Sequence, residues 1–161
     1  MRSTHLLLSI VFCALLQGCA SSYYKPGSGG GFGYYERMIH EDYYEVSYLG
    51  DKNVSHEMAY DYAVLRALEI GKNLGFEYML VDSAQDSTKS RSSRSCVSHK
   101  GSILDGTLEC AEYMTFRATL PGYKIIVRYS DEPPMGRYLP EKLFLIRSSY
   151  IALQHKYGID K

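Results

Sequence analysis

Between residues 42 and 81 the period of the hydrophobic residues changes from two to about 3.6 and back, which limits the folds open to the chain. Asp42–Leu49 alternates, with tyrosines and a valine on one face, as in a half-buried strand. Ser55 then has the side chain of a helix N-cap, and Gly75 suits a left-handed C-cap. Phe76–Val81 is a second, apolar strand. A strand, a helix and a strand within about forty residues predict a right-handed crossover between parallel strands.

The second half of the chain adds two strands and a helix. Ala111–Leu120 and Tyr123–Tyr129 flank Pro121-Gly122, so we expect them to pair as an antiparallel hairpin. An apolar stripe from Leu139 to Tyr157, with Pro140 in the first turn, predicts a C-terminal helix that ends at Gly158. The expected fold is therefore α+β: one mixed sheet of about four strands, a βαβ unit plus a hairpin, with helices packed on it.

The N-terminus has the layout of a secretory signal. One arginine precedes the apolar run Leu6–Leu16, which is too short to span a bilayer. The run ends Leu16-Gln17-Gly18-Cys19, which resembles the lipobox of bacterial lipoproteins, although Gln17 departs from the usual small residue. The resemblance implies cleavage before Cys19 and acylation of that cysteine, and Ala20 in place of an aspartate favours the outer membrane.

These observations predict three segments. Residues 1–18 are a lipoprotein signal peptide, residues 19–33 a lipidated Gly/Ser-rich tether, and residues 34–161 a single α+β domain with an exposed loop at 83–109. The chain has 18 basic and 18 acidic residues without a concentrated basic face, which excludes a nucleic-acid binder. Its 16 tyrosines suit half-buried strands and wet interfaces.

Two cysteines remain once Cys13 leaves with the signal and Cys19 takes lipid. In an oxidising compartment we expect Cys96 and Cys110 to form a disulfide that closes a loop of about 15 residues. A metal site that uses these two cysteines and His99 is the competing interpretation, but no fourth ligand is visible.

The predicted loop holds the one locally basic stretch. Its possible anion contacts, to lipid phosphates, are Lys89, Arg91, Arg94 and Lys100, and a solvated loop is the plain alternative. No catalytic residue, metal or cofactor is predicted, since His56-Glu57 lacks the second histidine of a zinc-protease motif at Tyr60.

Gly33–Val81 resembles a family of small, uncharacterised proteobacterial envelope lipoproteins. The shared motifs read Gly33-Tyr34-Tyr35-Glu36, Tyr44-Glu45-Val46-Ser47-Tyr48-Leu49-Gly50-Asp51, Tyr62-Ala63-Val64-Leu65-Arg66-Ala67-Leu68-Glu69 and Gly75-Phe76-Glu77-Tyr78. The match covers about a third of the chain and implies an envelope location and a fold, with no assigned activity.

The sequence thus predicts a non-enzymatic interaction or structural module on the periplasmic face of a bacterial membrane, with the outer membrane favoured. Its expected partners are the lipid bilayer, through acylated Cys19, and an envelope protein or polymer, not nucleic acid. The alternatives are a periplasmic ligand-binding protein or enzyme, which needs a concave pocket, and a redox or metal sensor that uses Cys96 and Cys110.

Overall fold

In the described part of the chain, two helices pack on a sheet of five strands, and a separate two-stranded sheet extends from it. The computed structural model describes residues 24–27, 31–100, 109–135 and 142–159. The α+β class predicted from the sequence is confirmed. The strands are β1 (Gly33–His40), β2 (Tyr43–Leu49), β3 (Tyr78–Asp86), β4 (Lys89–Lys100), β5 (Glu109–Leu120), β6 (Gly122–Ser130) and β7 (Leu143–Leu145), and the helices are α1 (His56–Leu74) and α2 (Ile146–Tyr157).

The larger sheet has the order β1-β2-β6-β3-β7, and every neighbouring pair is antiparallel. It is therefore antiparallel with five strands, not mixed with four as expected. Since β2 and β3 both run opposite to β6, they are parallel to each other, and α1 connects them as the sequence predicted. The strand between them, β6, fills the slot that this crossover leaves open.

The prediction that Ala111–Leu120 and Tyr123–Tyr129 pair as a hairpin is wrong. The strand β5 pairs with β4, whereas β6 pairs with β2 and β3. Pro121 lies between β5 and β6 and has no N–H to donate, so it ends one strand without reversing the chain. The chain passes through it from the small sheet directly into the large one.

The helix α1 forms the centre of the core. The Ser55 hydroxyl accepts a 3.1 Å hydrogen bond from the Met58 N–H, and Gly75 ends the helix with φ 90°, so both predicted caps are confirmed. The large sheet and α2 cover α1 on two sides. More of α1 is therefore buried than the single apolar stripe of a helix that packs on one side only. Its buried residues are Ala59, Tyr62, Ala63, Val64, Leu65, Ala67, Leu68, Ile70 and Gly71.

The helix α2 begins later than the sequence predicted. Leu143–Leu145 pairs with β3 as the edge strand β7, and the helix starts at Ile146, while Leu139 and Pro140 lie outside the described residues. Gly158 ends the helix with φ 60°, as predicted. Lys156 ties α2 to α1, with its Nζ 2.7 Å from Asp61 and 2.8 Å from Glu57.

Strands β4 and β5 are together called the arm. The end of β3 and the whole of β4 lie within the loop expected at 83–109. Nearly all arm side chains are exposed or half-buried, and only Leu120 at the base is buried. Among the described residues the two strands pack on each other and make at most marginal contact with other helices and strands. The serine-rich β4 forms a strand because β5 supplies its hydrogen-bonding partner.

Candidate functional site

The arm continues the ladder of the neighbouring strands β3 and β6. Asp86 pairs with Tyr123 at the end of the large sheet, the Ser87 N–H donates to the Gly122 carbonyl at 2.9 Å, and Lys89 then pairs with Leu120. Each arm strand has 12 residues, so a rise of about 3.3 Å per residue makes the arm about 40 Å long. The arm thus continues the pairing of β3 with β6 beyond the end of the large sheet.

The predicted disulfide is present in the distal half of the arm. Cys96 and Cys110 are bonded across the two strands with their Cα atoms 5.8 Å apart. The bond lies beside two register shifts of the ladder, at Cys96/Ser98 and Ser98/His99, where the strands would otherwise be poorly fixed. Both sulfurs are used by this bond, so the structure gives no support to the competing metal site with His99.

The four predicted anion contacts all lie on β4, but they do not form one cluster. Lys89 and Arg91 share a face of the ribbon, whereas Arg94 lies on the opposite face, because side chains alternate along a strand. Lys100 is at the distal end, 3.9 Å from the Glu109 carboxylate. The arm still has an excess of positive charge, with five lysines and arginines in its described strands against two glutamates.

The two faces of the arm differ in chemistry. The Phe116 face has methionine, phenylalanine and alanine from β5 beside basic and serine side chains from β4. Met114 and Phe116 are 50% and 49% exposed. The Tyr113 face is polar apart from Tyr113 itself. The Phe116 face consists of Lys89, Arg91, Ser93, Ser95, Met114, Phe116 and Ala118, and the Tyr113 face of Ser90, Ser92, Arg94, Tyr113, Thr115, Arg117 and Thr119.

A second feature, which the sequence analysis did not predict, is a segment before β1 that packs on the domain. Tyr24–Gly27 lies along β1, where the Tyr34 N–H donates to the Lys25 carbonyl at 2.9 Å and the Gly27 N–H donates to the Tyr34 carbonyl at 2.8 Å. The Tyr24 ring lies 5.1 Å from the Tyr34 ring and 5.7 Å from the Tyr62 ring. The expected tether at 19–33 is therefore docked on the domain at Tyr24–Gly27.

An ion-pair network surrounds this docked segment. Arg66 Nη1 lies 2.6 Å from Glu69 Oε2, its Nη2 donates to Glu36 Oε1 at 3.0 Å, and its guanidinium covers the Tyr34 ring at 4.6 Å. Burial lowers the pKa of Arg66, but the bonds to both carboxylates outweigh it and raise that pKa. The charge of Arg66 is already matched by Glu36 and Glu69, which disfavours a role in binding an external anion.

A cavity of about 280 Å³ adjoins the network between the docked segment and the helices. Ligand pockets are typically about 300–1,000 Å³, so this cavity is just below that range. The carboxylate in its wall, Glu69, is already engaged by Arg66 and Tyr24. The polar residues in the wall are Tyr24, Lys25, Tyr34, Glu69, Tyr150 and Gln154.

Comparisons with protein-family models, with curated proteins and with solved structures found no match to this chain. Within the described ranges, none of the helices is both long and apolar enough to cross a bilayer. Cys19 and the whole predicted signal peptide lie outside the described residues.

Proposed function

We propose that this chain is a bacterial envelope lipoprotein, acylated at Cys19 on the periplasmic face of a membrane, with the outer membrane favoured. Its α+β body is a non-enzymatic module that presents the arm to another component of the envelope. The lipobox-like run that ends at Cys19 supports the anchor. The exposed arm supports the interaction role.

The observation that carries the proposal is the isolation of the arm. A single two-stranded ribbon is marginally stable in water unless a further strand, a helix or a hydrophobic face covers it. Here a disulfide stabilises the ribbon, and among the described residues no further strand pairs with its outer edges and nearly all of its side chains are exposed or half-buried. Exposed β-edges and apolar side chains are surfaces on which other molecules bind. A contact role explains why the chain maintains such an element.

The cavity beside the docked segment gives the enzyme or ligand-carrier alternative little support. Its carboxylate, Glu69, already accepts hydrogen bonds from the Tyr24 hydroxyl and the Arg66 guanidinium. Groups that satisfy one another in this way stabilise the fold and leave little polar capacity for a substrate. The interaction role is therefore preferred.

Metabolic labelling with a clickable palmitate analogue tests the anchor. We expect the wild-type chain to be labelled and to fractionate with membranes, and Cys19→Ala to lose both properties. Cys13→Ala is the matched control, because that residue lies in the predicted leader and should leave labelling unchanged. Labelling that persists in Cys19→Ala would refute the proposed anchor.

Lysine footprinting with an amine-reactive reagent tests the contact role of the arm. Labelling is compared between protein in isolated envelopes and the same protein in detergent. We expect Lys89 and Lys100 to be protected in the envelope, while the exposed Lys52 of the body reacts equally in both. Equal reactivity of the arm lysines in both preparations would count against the arm as a contact surface.

A further inference from the structure

We propose that the partner of the arm is the membrane itself: its Phe116 face lies on the lipid surface in which Cys19 is anchored. This inference rests on the proposed function, because the position of the anchor sets the geometry. Four observations support it: the short linker of residues 20–23, here called the leash, the place where the leash joins the body, the length of the arm and the chemistry of its Phe116 face.

The leash between anchor and body is short. Because Tyr24 is docked through its ring and its hydroxyl, only the residues between Cys19 and Tyr24 separate the acyl chains from the folded body. Five residue steps of at most about 3.6 Å each give a reach of about 18 Å. The body is therefore held close to the headgroups rather than on a long tether.

The leash enters at the end of the sheet from which the arm leaves. Pro26 forms a parallel bridge with Tyr34 near the start of β1, so the chain before it runs back past Gly33. Gly33 pairs with Leu49, and Leu49 pairs with Gly122, the first residue of β6. The end of the sheet nearest to the membrane is thus also the base of the arm.

The lengths of the arm and of the leash together determine which surface the arm contacts first. An arm of about 40 Å that starts at the membrane-proximal end is about twice as long as the leash. Lipid is consequently the first large surface within its reach. A partner protein is not required to cover the arm.

The Phe116 face has the chemistry of a membrane-surface element. Met114 and Phe116 provide apolar side chains that are half exposed, and Lys89 and Arg91 on the facing strand provide positive charge. Bacterial phospholipid surfaces are anionic and attract basic segments, while aromatic and apolar side chains enter the headgroup boundary. The described arm strands have a formal charge of +3, which leaves −3 for the rest of the neutral chain, so the arm is the part that anionic lipid attracts.

A single tryptophan reports the contact, because the chain contains none. Full-length Phe116→Trp protein is purified in detergent and reconstituted into vesicles of phosphatidylethanolamine and phosphatidylglycerol, with and without brominated acyl chains. The matched control is Tyr113→Trp, on the opposite face of the same strand. We expect brominated lipid to quench the tryptophan at position 116 strongly and the one at position 113 weakly, and Arg91→Glu in the first protein to lower quenching about two-fold.

Three outcomes would overturn the inference: no quenching at either position, equal quenching at both, or a blue shift at position 116 without quenching, which reports burial against protein. The intact mass of the same preparation reports whether Cys19 is acylated. An unacylated mass refutes the proposed anchor, whereas an acylated protein without quenching refutes only the membrane contact of the arm.

Discussion

The Tyr24 hydroxyl donates a 3.0 Å hydrogen bond to Glu69 Oε2, although the two residues are 45 positions apart. Burial, and then the charge of Glu69, raise the pKa of Tyr24, so this phenol stays protonated and remains a donor. Since Arg66 also contacts Glu69 and Tyr34, the bond connects the N-terminal segment to an ion-pair network on α1. The position of the leash is thereby determined by the core.

Substitutions at Tyr24 should separate the hydrogen bond from the ring packing. Tyr24→Phe keeps the ring against Tyr34 and Tyr62, and we expect it to lower the free energy of unfolding by about 1 kcal/mol. Tyr24→Ala also removes the ring contacts and should cost about 3 kcal/mol. Urea denaturation measures both changes. Tyr113→Phe, at a side chain that is 62% exposed, is the control and should change stability little. A neutral Tyr24→Ala would show that the segment is not docked in solution.

The disulfide should stabilise the arm and hardly affect the body. In the chain-entropy model a loop of about 15 residues gives about 3 kcal/mol, but only to the unit that the bond closes. The arm makes at most marginal contact with other described elements, so that unit is the arm. We expect Cys96→Ser/Cys110→Ser to speed protease cleavage and amide exchange in β4 and β5, with global unfolding shifted by less than about 1 kcal/mol. A large global loss would show that the arm and body unfold together.

At Gly71, α1 packs closely against Ile146 and Tyr129. A Cβ at this position would lie 2.8 Å from Ile146 Cδ1 and 2.8 Å from Tyr129 Cε1. Alanine is the better helix former by about 1 kcal/mol, but overpacking of a filled core costs about 1–3 kcal/mol. We expect Gly71→Ala to be net destabilising in thermal or urea unfolding. The exposed Asn73→Ala on the same helix is the control and should be neutral or slightly stabilising, and a stabilised Gly71→Ala would contradict this packing.

Local patterns in the sequence predicted α1, β2 and β6 well, because each is defined by neighbours in the chain, whereas the edge strands β1 and β7 were not predicted. The crossover helix, its caps at Ser55 and Gly75 and the buried faces of β2 and β6 follow from periodicity and turn chemistry. The disulfide followed from cysteine count and compartment.

Long-range pairing could not be predicted in the same way. Pro121-Gly122 resembles a turn, and only the opening left between β2 and β3 shows that β6 belongs there instead of beside β5. The serine-rich β4 lacks alternation, so nothing in its own residues indicates a strand. The docking of Tyr24 was missed because a tyrosine in a glycine-rich stretch does not reveal its partner on a distant helix. These features depend on residues far away in sequence.

Alkaline pH should unfold the body through its buried tyrosines. The Tyr129 ring is 2% exposed and its hydroxyl donates to the Ala67 carbonyl at 2.7 Å, and burial raises its pKa above the ordinary value. Burial and a hydrogen bond to Asp61 raise the pKa of Tyr157 to about 12. In the unfolded chain both phenols ionise near pH 10, so the unfolded state loses protons that the folded state retains.

The sign of the pH dependence follows from these raised pKa values. Their contribution is fully present below about pH 10 and is lost as pH rises from there towards the folded values, by about 1.4 kcal/mol per pH unit for each phenol. Urea denaturation at a series of pH values should therefore give a constant free energy of unfolding up to about pH 9 and a steep fall above about pH 10. Tyr129→Phe should cost about 1 kcal/mol at neutral pH through the lost bond to Ala67, yet fall less steeply in alkali. The exposed Tyr113→Phe should keep the wild-type slope, and an unchanged slope in Tyr129→Phe would show that this phenol is not the group that titrates on unfolding.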